Sequence, residues 1–195
     1  MAGIPRLLVE PAAPDILHPM GRLRFKFIVA VLLMLHIAAD SQAKGRYLEP
    51  ADFISQSFEG EAPVVSKLWI TRETKAHIEE IMGRKWNSLR VRYWERHGKF
   101  AFILDEIGKI HPITVGIIVK EAKIEELKVL IYRESRGWEV RHAFFTDQFK
   151  GATIDQSYRL DRKIDGISGA TLSVRALTRQ ARLALYLQQQ CSHVK

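Results

Sequence analysis

The spacing of apolar and polar positions changes character several times along the chain. From Thr71, apolar residues recur at helical intervals: Ala76, Ile78, Ile81 and Met82. Thr71 is placed to cap that helix, Thr74 stands at its third position and Glu73 near its positive end, and Gly83 marks its stop. Four runs rich in β-branched and aromatic residues follow: Leu89–Trp94, Phe100–Leu104, Ile113–Val119 and Leu127–Tyr132. His97-Gly98-Lys99 reads as a tight turn between the first two. The Lys120–Glu126 link is too short for a crossover, so the third and fourth strands should pair antiparallel. From Trp138 to Phe149 the helical period returns, with Val140, Phe144, Phe145 and Phe149 close to one face and Gly151 as the stop. Residues 152–166 are polar and irregular. A last helix is predicted from Leu172 to Gln189, with Val174, Leu177, Ala181, Ala184 and Leu185 on one side and Arg175, Arg179 and Arg182 on another. Residues 44–68, holding Gly45, Pro50, Gly60 and Pro63, read as an irregular lead-in. Strands grouped in the middle with helices at the ends predict an α+β fold, a mainly antiparallel sheet flanked by helices.

Near the start, Arg22, Arg24 and Lys26 precede an apolar run from Phe27 to Ala39 broken only by His36. The run is shorter than the ~20 residues a membrane span needs and has the length of a signal-peptide core. Ser41-Gln42-Ala43 then supplies small residues at the right offsets for cleavage after Ala43. Residues 1–43 are thus expected to be a signal peptide, with Met20 as an alternative start. An uncleaved membrane anchor is the other reading. Both put the chain from Lys44 onward outside the cytoplasmic membrane, in the periplasm. The expected organisation beyond it is a lead-in with one helix over 44–97 and a domain over 98–190.

Composition narrows the chemistry. The 195 residues are 47% hydrophobic and 27% charged, which is ordinary for a folded protein. The formal charge is +8, but the basic residues are dispersed and no aromatic RNA-binding signature accompanies them, so nucleic acid is not expected as a partner. Cys191 is the only cysteine, which excludes an internal disulfide, a Cys-ligated iron–sulfur cluster and Cys-rich zinc. His77 and His142 lack metal-ligand spacing with acidic neighbours. An electron carrier of this composition would use an organic cofactor.

The segment Asp165-Gly166-Ile167-Ser168-Gly169-Ala170-Thr171 opens straight into the last helix. Unpaired amides and the positive end of a helix dipole favour a phosphate there, and Ser168, Thr171 and Ser173 add hydroxyls. The same pattern serves as a plain helix cap, and spacing alone leaves both readings open.

This segment resembles the flavinylation motif of the FMN-binding domain family, roughly Asp-x-(Ile/Val)-Ser-Gly-Ala-(Thr/Ser). The family includes the covalently flavinylated subunits of the sodium-pumping NADH:quinone reductase and of the Rnf complex. The resemblance implies that Thr171 is joined to the phosphate of FMN by a phosphoester bond. It also implies a separate magnesium-dependent flavin transferase, with FAD as donor. Asp165, Ser168, Gly169 and Ala170 match the rest of the motif. Upstream, Gly98–Lys123 is similar to the family's run of strands. Tyr132-Arg133-Glu134-Ser135-Arg136-Gly137 is similar to its His-x-Glu-Thr-Pro-Gly stretch, with Tyr132 in place of the His and Arg136 in place of the Pro. Phe145, Phe149 and Gly151 fit a Phe-x-x-x-Phe-x-Gly pattern.

On that resemblance, Glu134 bonds the ribityl chain or shapes its turn, and Trp138 covers the flavin ring or packs in the core. Arg175 or Arg179 partners the phosphate or belongs to a solvated face. No G-x-G-x-x-G turn follows a strand, so direct oxidation of NADH is not supported. The expected function is an exported flavoprotein that passes electrons between a membrane-bound or periplasmic donor and an acceptor. It would be a carrier or subunit, with a reductase that binds a small acceptor at the flavin as a variant. The alternative is a non-redox periplasmic binding or assembly module that keeps the fold without flavin.

Overall fold

A computed structural model describes residues 45–193. The expected signal peptide over 1–43, its cleavage site and Lys44 lie outside the described residues. Helix α1 (Pro50–Ser57) leads into strand β1 (Val64–Trp69) and helix α2 (Arg72–Met82). Strands β2 (Arg90–Arg96), β3 (Lys99–Ile107), β4 (Pro112–Lys120) and β5 (Lys123–Tyr132) follow. After a short α3 (Ala143–Thr146), the long helix α4 (Thr171–His193) ends the chain. The five strands form one antiparallel meander in the order β1 to β5, so the fold is α+β. Among the described residues no helix is long and apolar enough to cross a membrane.

The sheet follows from β-branched alternation and two-residue turns. His97-Gly98 and Glu121-Ala122 link β2 to β3 and β4 to β5, each with both residues at positive φ, the mirror-image geometry that suits the strand twist. β4 is apolar from Val115 to Val119 because helices cover both faces. Ile113, Val115, Ile117 and Val119 point into a core shared with α2 and α4, while Ile118 joins Ala101 and Leu130 beneath α1. α4 is buried all round towards its end, from Leu183 to Leu187.

Two expectations are corrected. The lead-in is not irregular: it holds α1 and β1. Pro50 starts α1, since a first-turn proline forfeits no helical hydrogen bond, and Phe53, Ile54 and Phe58 are buried under it. β1 is an edge strand with Val64, Val65 and Trp69 exposed. The helix expected over Trp138–Phe149 is broken at His142, whose ψ of 151° is extended, into a single turn before it and α3 running on into a short turn after it. That break rotates the chain so that Val140, Phe145 and Phe149 are buried while Phe144 is 65% exposed.

The β2–β3 pairing is short. Only Trp94↔Ala101, Glu95↔Phe100 and Arg96↔Lys99 are matched, although β2 begins at Arg90 and β3 runs on to Ile107. The β1–β2 ribbon therefore diverges from β3 and leaves a cleft between them.

Candidate functional site

The segment before α4 forms a tight turn. The Ala170 N–H donates to the Ile167 carbonyl at 3.0 Å, and Gly169 takes the φ of +80° that the turn needs. The first helical bond runs from Val174 N–H to the Ala170 carbonyl at 2.9 Å, so Ala170 holds the N-cap position. Alanine has no side-chain acceptor. Among the described residues, nothing accepts from the amides of Thr171, Leu172 and Ser173. The plain-cap reading of this segment therefore fails: the helix opens uncapped.

These amides face a cleft of about 620 Å³ lined by Gly169 to Ser173 on one side and by Lys109, Glu134, Ser135 and Arg136 on the other. Thr171 is exposed there. Ser173 is buried and bonded to the Tyr132 hydroxyl at 2.9 Å, and Ser168 is exposed on the turn, outside the cleft lining. Thr171 is thus the open hydroxyl on the α4 wall. Lys109 and Arg136 bring positive charge to the opposite wall.

Glu134 shapes its turn. One carboxylate oxygen, Oε1, accepts from the amides of Lys109, Ile110 and His111 at 2.5, 2.6 and 2.9 Å. Partial burial pushes this carboxyl up, but the three amide donors outweigh it and hold it below the usual carboxylate range. Tyr132 fixes the other end of the same stretch. Its hydroxyl donates to the Arg136 carbonyl at 2.5 Å and meets Ser173, tying β5 to the first turn of α4. Burial raises its pKa, so it remains a neutral hydroxyl. Gly137 sits inside this junction at φ +81°. A Cβ there would lie 3.0 Å from the Tyr132 hydroxyl, 3.1 Å from Ala170 Cβ and 3.2 Å from Ser173 Oγ.

Other expected site residues lie elsewhere. Arg179 does not reach the motif: its guanidinium lies 3.5 Å from Glu106, a carboxylate 2% exposed that Arg84 also holds at 2.7 and 2.9 Å. A carboxylate that deeply buried requires its cations, which commits Arg179 to the core. Trp138 is 44% exposed, neither core nor cleft wall; Arg141 lies over its ring at 5.0 Å and His142 meets its edge at 5.3 Å. Arg175 is exposed one turn beyond Thr171 with no ion pair among the described residues. Asp165 is exposed, and its amide donates to Gln148 Oε1 at 2.7 Å, which fastens the start of the motif to the turn containing Phe149.

Residues 108–186 match the family model described as FMN-binding domain. The chain carries an FMN-binding domain. The match begins at the β3–β4 turn that Glu134 caps and ends within α4, so both walls of the cleft lie inside it. No curated protein matches the chain. The cofactor of the FMN-binding domain is FMN, and the residues present fit it. Three unsatisfied amides at a helix N-terminus can donate to a phosphate, and Lys109 and Arg136 are placed to offset its charge.

Sequence reasoning missed Lys109, Ser135, Arg136 and Gln148 as site residues. Lys109 and Ser135 reach the cleft from turns distant in sequence from α4. Gln148 is one of three polar residues between two buried phenylalanines. Lys109 carried one usable signal, its place after Gly108 in a short polar break between two apolar strands.

Proposed function

We propose that this protein is an exported flavoprotein holding FMN through a phosphoester on Thr171 and passing electrons between membrane-bound or periplasmic partners. The observation that carries this reading is the uncapped start of α4, with Thr171 open in a cleft inside the FMN-binding domain. Bound FMN supplies one- and two-electron transfer. The chain's own residues hold and orient it. The amides of Thr171 to Ser173 take the phosphate oxygens, and Lys109 and Arg136 balance the charge that remains on the diester. Glu134 and Tyr132 keep the facing wall rigid.

No base is hydrogen-bonded to Thr171 among the described residues. Its hydroxyl makes no hydrogen bond among the described residues. An outside enzyme must therefore activate it. With a magnesium-dependent transferase and FAD, Thr171 Oγ1 bonds to the FMN phosphorus, the pyrophosphate bond breaks, AMP leaves and the hydroxyl proton is released. Export rests on the basic residues before the apolar run and on Ser41-Gln42-Ala43. N-terminal sequencing of the exported protein should begin at Lys44; a sequence starting before Phe27 would replace cleavage with an anchor.

Co-expression with a flavin transferase in an exporting host tests the assignment. Intact mass should rise by one FMN minus water, ~438 Da, a figure set by the cofactor. Peptide mapping should place it on Thr171. Flavin on Ser168 or Ser173 would move the attachment, and exported, transferase-exposed protein without flavin would leave a non-redox binding module in its place.

A further inference from the structure

The cleft between β2 and β3 encloses about 870 Å³ and shares no lining residue with the Thr171 site. That volume lies within the range of small-molecule sites. Its walls are apolar and aromatic, with Trp86, Val91, Trp94 and Ile103 among them. Its side chains supply one carboxylate, Asp105, against four cations and a buried indole. The Trp86 indole Nε1 is buried and has no acceptor. The two-residue hairpin at His97-Gly98 closes on Arg96↔Lys99, so alternate β3 residues turn their main-chain groups towards β2. Ile103 and Asp105 belong to that set, and β2 has already diverged from them.

Charge points the same way. Lys67, Arg90 and Arg92 line the cleft and make no ion pair among the described residues. Arg90 lies 5.9 Å from the Trp69 ring centroid. Arg84 also lines it but is committed to Glu106. The one carboxylate in the lining, Asp105, already accepts from the Thr114 hydroxyl at 2.5 Å. A buried indole N–H without an acceptor, cations without ion pairs and an aromatic lining call for a flat ligand that brings acceptors and negative charge.

We infer that this cleft is a second binding site, for a planar aromatic anion rich in acceptor oxygens, as in quinone or polycyclic carboxylates and sulfonates. The ligand's ring system lies against Trp86 and Trp94, its carbonyl oxygens take the indole N–H and the free β3 amides, and its anionic group meets Arg92 and Lys67. The site goes beyond the flavin reading and does not depend on it.

The test uses anthraquinone-2-sulfonate and its neutral analogue 2-(hydroxymethyl)anthraquinone on protein produced without a transferase. Binding is followed by the indole N–H resonances of the four tryptophans. The sulfonate should bind about tenfold tighter than the neutral analogue, an ordinary increment for charge pairing in a partly open site. The Trp86 indole signal should move most, and the Trp138 signal should stay still. Arg92→Gln should weaken the sulfonate about fivefold and leave the neutral analogue unchanged. Trp86→Phe keeps the apolar wall and should weaken both by about threefold through the lost donor. Equal affinity of the two probes, an unmoved Trp86 signal, or sulfonate binding indifferent to Arg92→Gln would overturn the site. So would saturation of the same signals by an acidic extended peptide but not by the sulfonate, which would make the cleft a strand-addition groove.

Discussion

Helices α2 and α4 begin in opposite ways. Thr71 closes α2: its Oγ1 accepts the Thr74 amide at 3.1 Å, and Gly83 ends the helix at φ +64°. α4 begins at Ala170 and leaves three amides bare. α2 has 11 residues and a single buried stripe, while α4 has 23 and is enclosed towards its end. The magnitudes explain why the second can do without a cap. A missing cap costs ~1 kcal/mol. Each fully buried leucine on α4, such as Leu177 or Leu187, contributes roughly 1.5–3 kcal/mol. A short helix needs its cap for stability. A long buried one can leave its start free, and the proposed site uses that freedom for an anion.

The contrast breaks most sharply at Thr171. Thr171→Ala should abolish the ~438 Da addition altogether, because no other hydroxyl on the α4 wall is open. Thermal stability should hardly change, since the exposed side chain makes no hydrogen bond among the described residues. Thr171→Ser should still be modified. A flavin that persists in the alanine variant, measured by intact mass, would show that the bare helix start is not the attachment point.

Gly137→Ala comes next. The added methyl would press on Tyr132, Ala170 and Ser173 together, at a φ that disfavours any side chain. The expected loss is about 1–3 kcal/mol from backbone strain and crowding. Flavin loading should fall as well, because displacing Ala170 moves the amides proposed to hold the phosphate. Chemical denaturation and intact mass on the same sample separate the two effects. An unchanged denaturation midpoint would mean the junction is slack.

The residues that made these features legible, and those that hid others, are specific. β2 to β5 show in the sequence because β-branched runs are separated by short polar turns. β1 does not, because an edge strand with Val64, Val65 and Trp69 outward has no clean alternation. α1 is masked by Pro50, which reads as a breaker but is at home in a first turn. The motif at 165–171 is local and could be read as a unit. Its opposite wall is assembled from Lys109 and Arg136, and their meeting with Thr171 depends on how β3, β4 and β5 turn. Helical periodicity put Arg179 on a face with Arg175, but could not show that Glu106, 73 residues away, claims it. A wheel gives direction, and only the tertiary fold supplies the partner.

Thr71→Ala sharpens the comparison from the other side. It should cost ~1 kcal/mol through the lost cap. It should leave flavin loading unchanged, because α2 has no part in the cleft. A drop in loading would show that the two helix starts are coupled through their shared core.

The smallest expected effect concerns a third set of amides, those of Lys109 to His111, which are already filled by Glu134. Burial raises this carboxyl, the amides lower it further than burial raises it, and the folded value lies below the ordinary 4.5. A depressed carboxylate contributes stability that is complete above its unfolded value. That contribution disappears as pH falls through the lower folded value. Glu134→Gln keeps an acceptor oxygen for the amides and removes only the charge. The wild-type protein should therefore melt slightly higher than the glutamine variant at pH 6–7, and the gap should close as pH drops below about 4.5. Melting curves at matched ionic strength would show it. A gap that stays constant across that range would mean the amides value the oxygen and not its charge. The bare amides at α4 would then be expected to hold a neutral ligand as well as a phosphate, and the distinction between a filled nest and an open anion site would fail.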